Sequence, residues 1–218
     1  MTDPNQPDAG GLGVLERGRD EVTLRFTRRL PHPAAKVWRA LTESGHLTAW
    51  FPTTVEGDLT PGATLRYNFR EMNLPGFDGR VLAVDPPRLL EFVWGDERLR
   101  FELTPDGRHT VLDFSASFTE IGRAARDAAG WHTCLDLLGY DLAGETVPWS
   151  QDDRWRIVHA DYVRVLGPEA ATIGPPVEWE DTYGPADAQR VDLGAGFLVR
   201  RAYRDQRATA EQQNRHAA

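Results

Sequence analysis

The amino-acid sequence predicts an α+β domain in which helices lie across one face of an antiparallel sheet. Three observations lead there. Short apolar–polar alternations recur along the first half of the chain, separated by Gly, Pro and Asp clusters suited to tight turns. Residues from about Ala124 to Gly144 carry Trp131, Cys134, Leu135, Leu138 and Leu142 at helical spacing, a stripe that needs an apolar surface to rest on. Between the first strands and the rest, the chain from Pro33 to Pro52 reads as a pair of short amphipathic helices.

Taken in order, residues 1–13 are polar with Gly and Pro and are expected to form a flexible arm. Val14 to Glu16 suits a short strand, turned at Gly18, Arg19 and Asp20 into Val22, Leu24 and Phe26, which alternate as a half-buried strand must. Pro33 fits the first turn of a helix because its missing N–H would be unpaired there, and Gly45 is the expected stop. Val37, Trp38 and Leu41 form its apolar face, so Trp38 is expected to be buried, as is Trp50 in the following turn. Alternation then returns in Leu65, Tyr67 and Phe69; in Leu90, Phe92 and Trp94; in Leu99, Phe101 and Leu103; and in Leu112, Phe114, Ala116 and Phe118. The links between the later strands are short, which implies an antiparallel meander. After the long helix, Ser150 with Asp153 makes a capping start for another, whose Trp155, Val158, Tyr162 and Val165 share a face. The domain is therefore placed at 14–167. Residues 168–218 form a Pro- and Gly-containing extension in which Val191 to Tyr203 alternates weakly and the end is polar.

Composition limits the function. The 218 residues include 40% hydrophobic and 10% aromatic side chains, enough for a sizeable core. A formal charge of −8 with scattered Lys and Arg argues against nucleic acid or an anionic membrane as partner. Cys134 is the one cysteine, so no internal disulfide forms and a reducing, cytoplasmic setting fits. The N-terminus has neither a cationic start nor an apolar run, so no signal peptide is read there, and no apolar run is long enough for membrane insertion.

Candidate chemistry is sparse. The histidines form no metal-ligand pair on one helix, and a single thiol cannot build a thiolate site, so neither metal nor cofactor is expected. Cys134 lies on the apolar stripe, where a thiol is an inert small hydrophobe. The most suggestive polar pair is His132 and Asp136, one turn apart at the border of that stripe, where a carboxylate could orient an imidazole. A boundary salt bridge or helix-surface pair of structural origin is the preferred reading of the two, ahead of a ligand-contacting or acid–base role. Tyr67, Phe69, Phe92, Trp94, Phe114, Trp131 and Leu135 should converge between sheet and long helix, and are the candidate ligand-binding residues together with His132. No catalytic residue is assigned.

Three blocks carry a family resemblance. They are Pro33-Ala34-Ala35-Lys36-Val37-Trp38 with Leu41 and Trp50-Phe51; Gly79-Arg80-Val81 through Asp85-Pro86-Pro87-Arg88-Leu89 to Phe92-Val93-Trp94; and Gly130-Trp131-His132 with Leu135-Asp136 and Leu138. In this order they resemble proteins related to the activator of heat-shock protein 90 ATPase, within the START-like (SRPBCC) superfamily, over roughly Val14 to Pro176. The resemblance implies a helix-grip fold, a curved antiparallel sheet wrapped around a long C-terminal helix. It also implies a hydrophobic cavity used for lipophilic ligands. The expected function is therefore non-catalytic binding of a small hydrophobic molecule, lipids included. A co-chaperone-like protein with a chaperone as partner is the alternative, although the family's eukaryotic activators carry a further N-terminal domain for which the residues before Val14 are too few. A third reading is a cyclase- or hydrolase-like enzyme on an aromatic or polyketide-like substrate.

Overall fold

The computed structural model describes residues 11–69 and 76–174. The expectations for residues 1–10 and for 175–218, including the alternation of Val191 to Tyr203, lie outside the described residues. Eight strands make one antiparallel sheet: β1 (Val14–Arg17), β2 (Val22–Leu30), β3 (Thr54–Glu56), β4 (Thr64–Asn68), β5 (Phe77–Asp85), β6 (Leu89–Trp94), β7 (Glu97–Asp106) and β8 (His109–Phe118), in the order β1-β2-β8-β7-β6-β5-β4-β3. Six of the seven steps between neighbours join strands consecutive in the chain; β2 alone crosses to β8, with Phe26 opposite Phe114. The helices α1 (Ala34–Thr42), α2 (Ser44–Trp50), α3 (Ala124–Ala143) and α4 (Gln151–Leu166) complete the α+β helix-grip architecture.

Side-chain period explains the layers. β2, β7 and β8 each bury alternate residues, and Leu24, Leu99, Leu112 and Ala116 are fully covered on the face that receives α3. The 3₁₀ turn Ile121–Arg123, in which the Glu120 carboxylate accepts the Gly122 N–H at 3.1 Å, leads into α3. Gly144, at φ 67°, ends α3 in the left-handed region that glycine tolerates. Lys36 from α1 donates its ammonium to the Leu142 carbonyl at 2.6 Å, placing a cation at the helix C-terminus. Ser150 caps α4 as expected, its hydroxyl accepting the Asp153 N–H at 3.1 Å.

Several expectations are corrected. The break between α1 and α2 falls at Glu43, in extended conformation, and Gly45 lies inside α2. Trp38 is only partly buried; Val37, Ala40 and Leu41 make the covered face of α1. Trp50 is buried, and its indole N–H reaches the Ala40 carbonyl at 2.9 Å, which ties α2 to α1. On α4, Val165 is exposed and Leu166 packs inward beside Trp155, Val158 and Tyr162, because the helix period carries the stripe one residue further. β3 and β5 have no counterpart in the sequence reading. β5 carries a register shift between Val81 and Ala83 that breaks its alternation.

The packed body also runs past both edges of 14–167. Gly13 packs on the Phe26 ring, and the turn Pro168–Ala171 buries Ala170, while the Ile173 N–H reaches the Gly122 carbonyl at 2.9 Å. α3 is covered nearly all round rather than on one stripe, because the sheet takes one side and α4 the other.

Candidate functional site

The concave side of the sheet and the facing side of α3 form an aromatic layer. Tyr67 from β4, Phe92 and Trp94 from β6 and Phe114 from β8 project inward because each occupies the buried parity of its strand. Trp131 from α3 meets three of the rings around it, with centroids 5.1 Å from Phe114, 5.6 Å from Trp94 and 6.0 Å from Phe51. Tyr67 lies 5.1 Å from Phe77, which also contacts Phe69 at 5.6 Å and Trp94 at 5.7 Å. Leu135, one helical turn beyond Trp131, is buried at 2% exposure. The structure thus brings together Tyr67, Phe69, Phe92, Trp94, Phe114, Trp131 and Leu135 as one buried layer.

Two polar clusters border this layer. The first is built on Glu97, the first residue of β7, whose inward parity sends a carboxyl into the apolar interior. The Trp131 indole N–H donates to it at 2.9 Å. Burial, reinforced by the Asp127 carboxylate, pushes the Glu97 pKa up to about 8. Arg123, itself 2% exposed, stands 3.5 Å from Glu97, 2.9 Å from Asp127 and 2.9 Å from Asp96, with its guanidinium 4.6 Å from the Phe118 ring centre. Arg126 donates to Asp127 at 2.6 Å, so the cluster largely neutralises itself.

The second cluster lies where β2, α3 and α4 meet. His132 points toward α4, away from Trp131's side of α3: its Nδ1 lies 3.0 Å from the Tyr162 hydroxyl and its Nε2 lies 3.0 Å from Arg154 Nη2. Arginine has no acceptor, so Nε2 must accept and the ring proton is assigned to Nδ1. Burial, with Arg28 and Arg154 nearby, lowers the His132 pKa to about 3, keeping the ring neutral. Asp136 sits 3.6 Å from the imidazole but is hydrogen-bonded to Arg154 at 2.7 Å. The expected carboxylate–imidazole pair is thus a near neighbour only; Arg154 and Tyr162 orient the ring. Tyr162 also accepts the Gly13 N–H at 2.7 Å. Arg28 completes the cluster from the inward face of β2, 3% exposed, donating to the Gly11 carbonyl at 3.2 Å.

Sequence reasoning missed Glu97, Arg123, Arg28, Arg154 and Tyr162 as site residues. A signal was available for two of them: Arg28 sits between Phe26 and Leu30 at the apolar parity of its strand, and Glu97 precedes Leu99 in the same way. Among the described residues, no group of three or more His, Cys, Asp or Glu side chains could hold a metal ion, and no helix is long and apolar enough to cross a membrane.

The family model described as activator of Hsp90 ATPase homolog 1-like protein matches residues 31–140, half of the chain. The chain belongs to this family. Solved structures share the fold with it. The conserved protein of unknown function EF2215 from Enterococcus faecalis is 20% identical, with a TM-score of 0.59 over 71% of this chain and 90% of its own. CalU16 from Micromonospora echinospora is 21% identical, with a TM-score of 0.56 over 71% and 96%. The protein encoded by gene BPP1335 from Bordetella parapertussis is 25% identical, with a TM-score of 0.58 over 76% and 95%. No curated protein matches the chain significantly. Trp131, His132 and Asp136 fall within the part that matches the activator-homolog model, whereas Arg28, Arg154 and Tyr162 fall outside it.

Proposed function

We propose that this member of the activator-homolog family binds a small lipophilic molecule between the sheet and α3, without catalysing its conversion. Tyr67, Phe69, Phe92, Trp94, Phe114, Trp131 and Leu135 are the contact residues, and His132 contributes through Tyr162 at the edge of the layer. The observation that carries this reading is the concentration of large rings on two facing surfaces, since aromatic side chains give an adaptable apolar lining with polar edges. The α3 side of that layer belongs to the matched family region and is bordered by buried titratable groups, which suits selective recognition. A cytosolic setting goes with the single cysteine.

A non-catalytic role accords with the state of the candidate acid–base pair. His132 has both ring nitrogens engaged by Arg154 and Tyr162, and Asp136 is held by Arg154. Mass spectrometry of the gently purified protein should reveal a co-purifying lipophile. Titration with Nile red should give saturable one-to-one binding that Trp94→Ala weakens. Partition of the dye without saturation would overturn the reading.

A further inference from the structure

Residues 11–13 cross between the sheet and α4 before the chain enters β1. The Gly13 N–H donates to the Tyr162 hydroxyl of α4 at 2.7 Å, while Gly13 itself rests on the Phe26 ring of β2. A Cβ at this position would stand 2.5–2.8 Å from three Phe26 ring carbons, so the absence of a side chain is what lets the chain lie so close. Just before it, the Gly11 carbonyl accepts from Arg28 at 3.2 Å and Leu12 packs partly buried against the core. At the end of β1, Arg17 pairs with Glu169, just beyond α4. Residues 11–17 therefore bridge β2 and the α4 side of the molecule.

What they cover is apolar and leads inward. Phe26 and Tyr162 are 2% and 0% exposed, their ring centres are 6.5 Å apart, and Gly13 touches both. Phe26 lies 5.8 Å from Phe114, which lies 5.1 Å from Trp131. A row of rings thus runs from beneath Gly13 to the centre of the aromatic layer.

The covering segment is held lightly. β1 is four residues long, stands at the end of the sheet and, among the described residues, has β2 as its one strand neighbour. Three of its four side chains are exposed, and the Arg17–Glu169 pair is exposed as well, so water screens it. Edge segments with few buried side chains open locally at a far lower free energy than the core. The turn after β1, where the Gly18 N–H donates to the Glu21 carbonyl at 2.9 Å, supplies a hinge. β2 is paired on both sides with alternate residues buried, so it stays in place when β1 lifts.

We propose that residues 11–17 form a strap that opens about the turn after β1, and that this opening admits the lipophile to the aromatic layer between β2 and α4. The proposal rests on the lipophile-binding reading above. With the strap closed, Gly13 seals Phe26 and is latched to Tyr162. With it lifted, the Phe26 ring is uncovered and the ligand moves along Phe26 and Phe114 toward Trp131.

Stopped-flow binding of Nile red to the full chain tests the entry route. Opening limits entry in the natural chain, so the observed rate should level off as dye concentration rises. Gly13→Ala, which sets a methyl group against Phe26, and, separately, Leu12→Ser should raise that plateau and the dissociation rate at least about fivefold each. The dissociation constant should stay within about threefold, because a gate is passed in both directions, whereas loss of a ligand contact raises dissociation alone. Hydrogen exchange on the ligand-free chain reads the opening itself. The Gly13 amide should exchange at least about a hundredfold faster than those of Leu112 to Ala116 in β8. Circular dichroism identifies a variant that fails to fold, and the other variant with the exchange rates then decides. Unchanged rates in the folded variants, or a Gly13 amide as protected as those of β8, would overturn the strap and leave the lipophile reading in place. Partition of the dye without saturation would overturn the lipophile reading and the entry route with it.

Discussion

The indole N–H of Trp131 on α3 donates to the buried carboxyl of Glu97 on β7 at 2.9 Å, joining the centre of the long helix to the sheet strand beneath it. Glu97 is 4% exposed, and this bond is made to a carboxyl that the apolar surroundings keep protonated well above the usual range.

Stability should therefore fall as the solution becomes alkaline. The folded state holds the Glu97 proton between about pH 4.5 and 8, whereas the unfolded chain releases it, so this contribution is complete below pH 4.5 and is lost as pH rises through about 8. Glu97→Gln, which mimics the protonated carboxyl, should flatten the loss of Tm between pH 5 and 9. An unchanged slope in a folded variant would show that Glu97 is not its source.

His132 has the opposite displacement. Its folded pKa of about 3 lies below the ordinary 6.5, so its contribution is complete above pH 6.5 and is lost progressively as pH falls toward 3. Urea midpoints measured from pH 7 to 4 should drop less steeply for His132→Gln than for the natural chain. If the imidazole serves position rather than chemistry, the same variant should retain Nile red affinity within about tenfold.

The two tryptophans of the first helical pair should behave unequally. Trp50 is 2% exposed and hydrogen-bonded to Ala40, so Trp50→Ala should cost about 3–5 kcal/mol in chemical denaturation. Trp38 is only partly buried, and Trp38→Ala should cost about half as much or less. Equal losses would contradict the burial difference.

Gly79 on β5 is needed for close approach. An added Cβ would overlap the Val93 carbonyl oxygen and the ring of Tyr67, whose hydroxyl donates to that same carbonyl at 2.9 Å. Gly79→Ala should destabilise by at least about 1–3 kcal/mol and lower Tm accordingly. A variant with unchanged Tm would show that β5 can move aside.

Local periodicity was sufficient to place most of the architecture. β2, β4, β6, β7, β8, α3 and α4 are visible because side-chain direction repeats every second residue in a strand and every 3.6 in a helix. The same logic identified the aromatic layer around Trp131. It failed at β5, where the shift between Val81 and Ala83 interrupts the alternation, and at β3, whose three residues are too few to show a period. It also failed at Trp38, because amphipathic spacing does not specify how far the helix rolls on its support.

The polar clusters were decided by tertiary structure alone. Gly13 and Tyr162 are 149 residues apart, yet one N–H and one hydroxyl meet at 2.7 Å. His132 and Asp136 looked like a pair because they are one helical turn apart; Arg154, arriving from α4, took the carboxylate, and Tyr162 took the imidazole. Sequence spacing determines which side chains share an element's face. It does not determine which charged groups from other elements arrive there, and in a buried site the strongest bonds go to the nearest group of complementary charge.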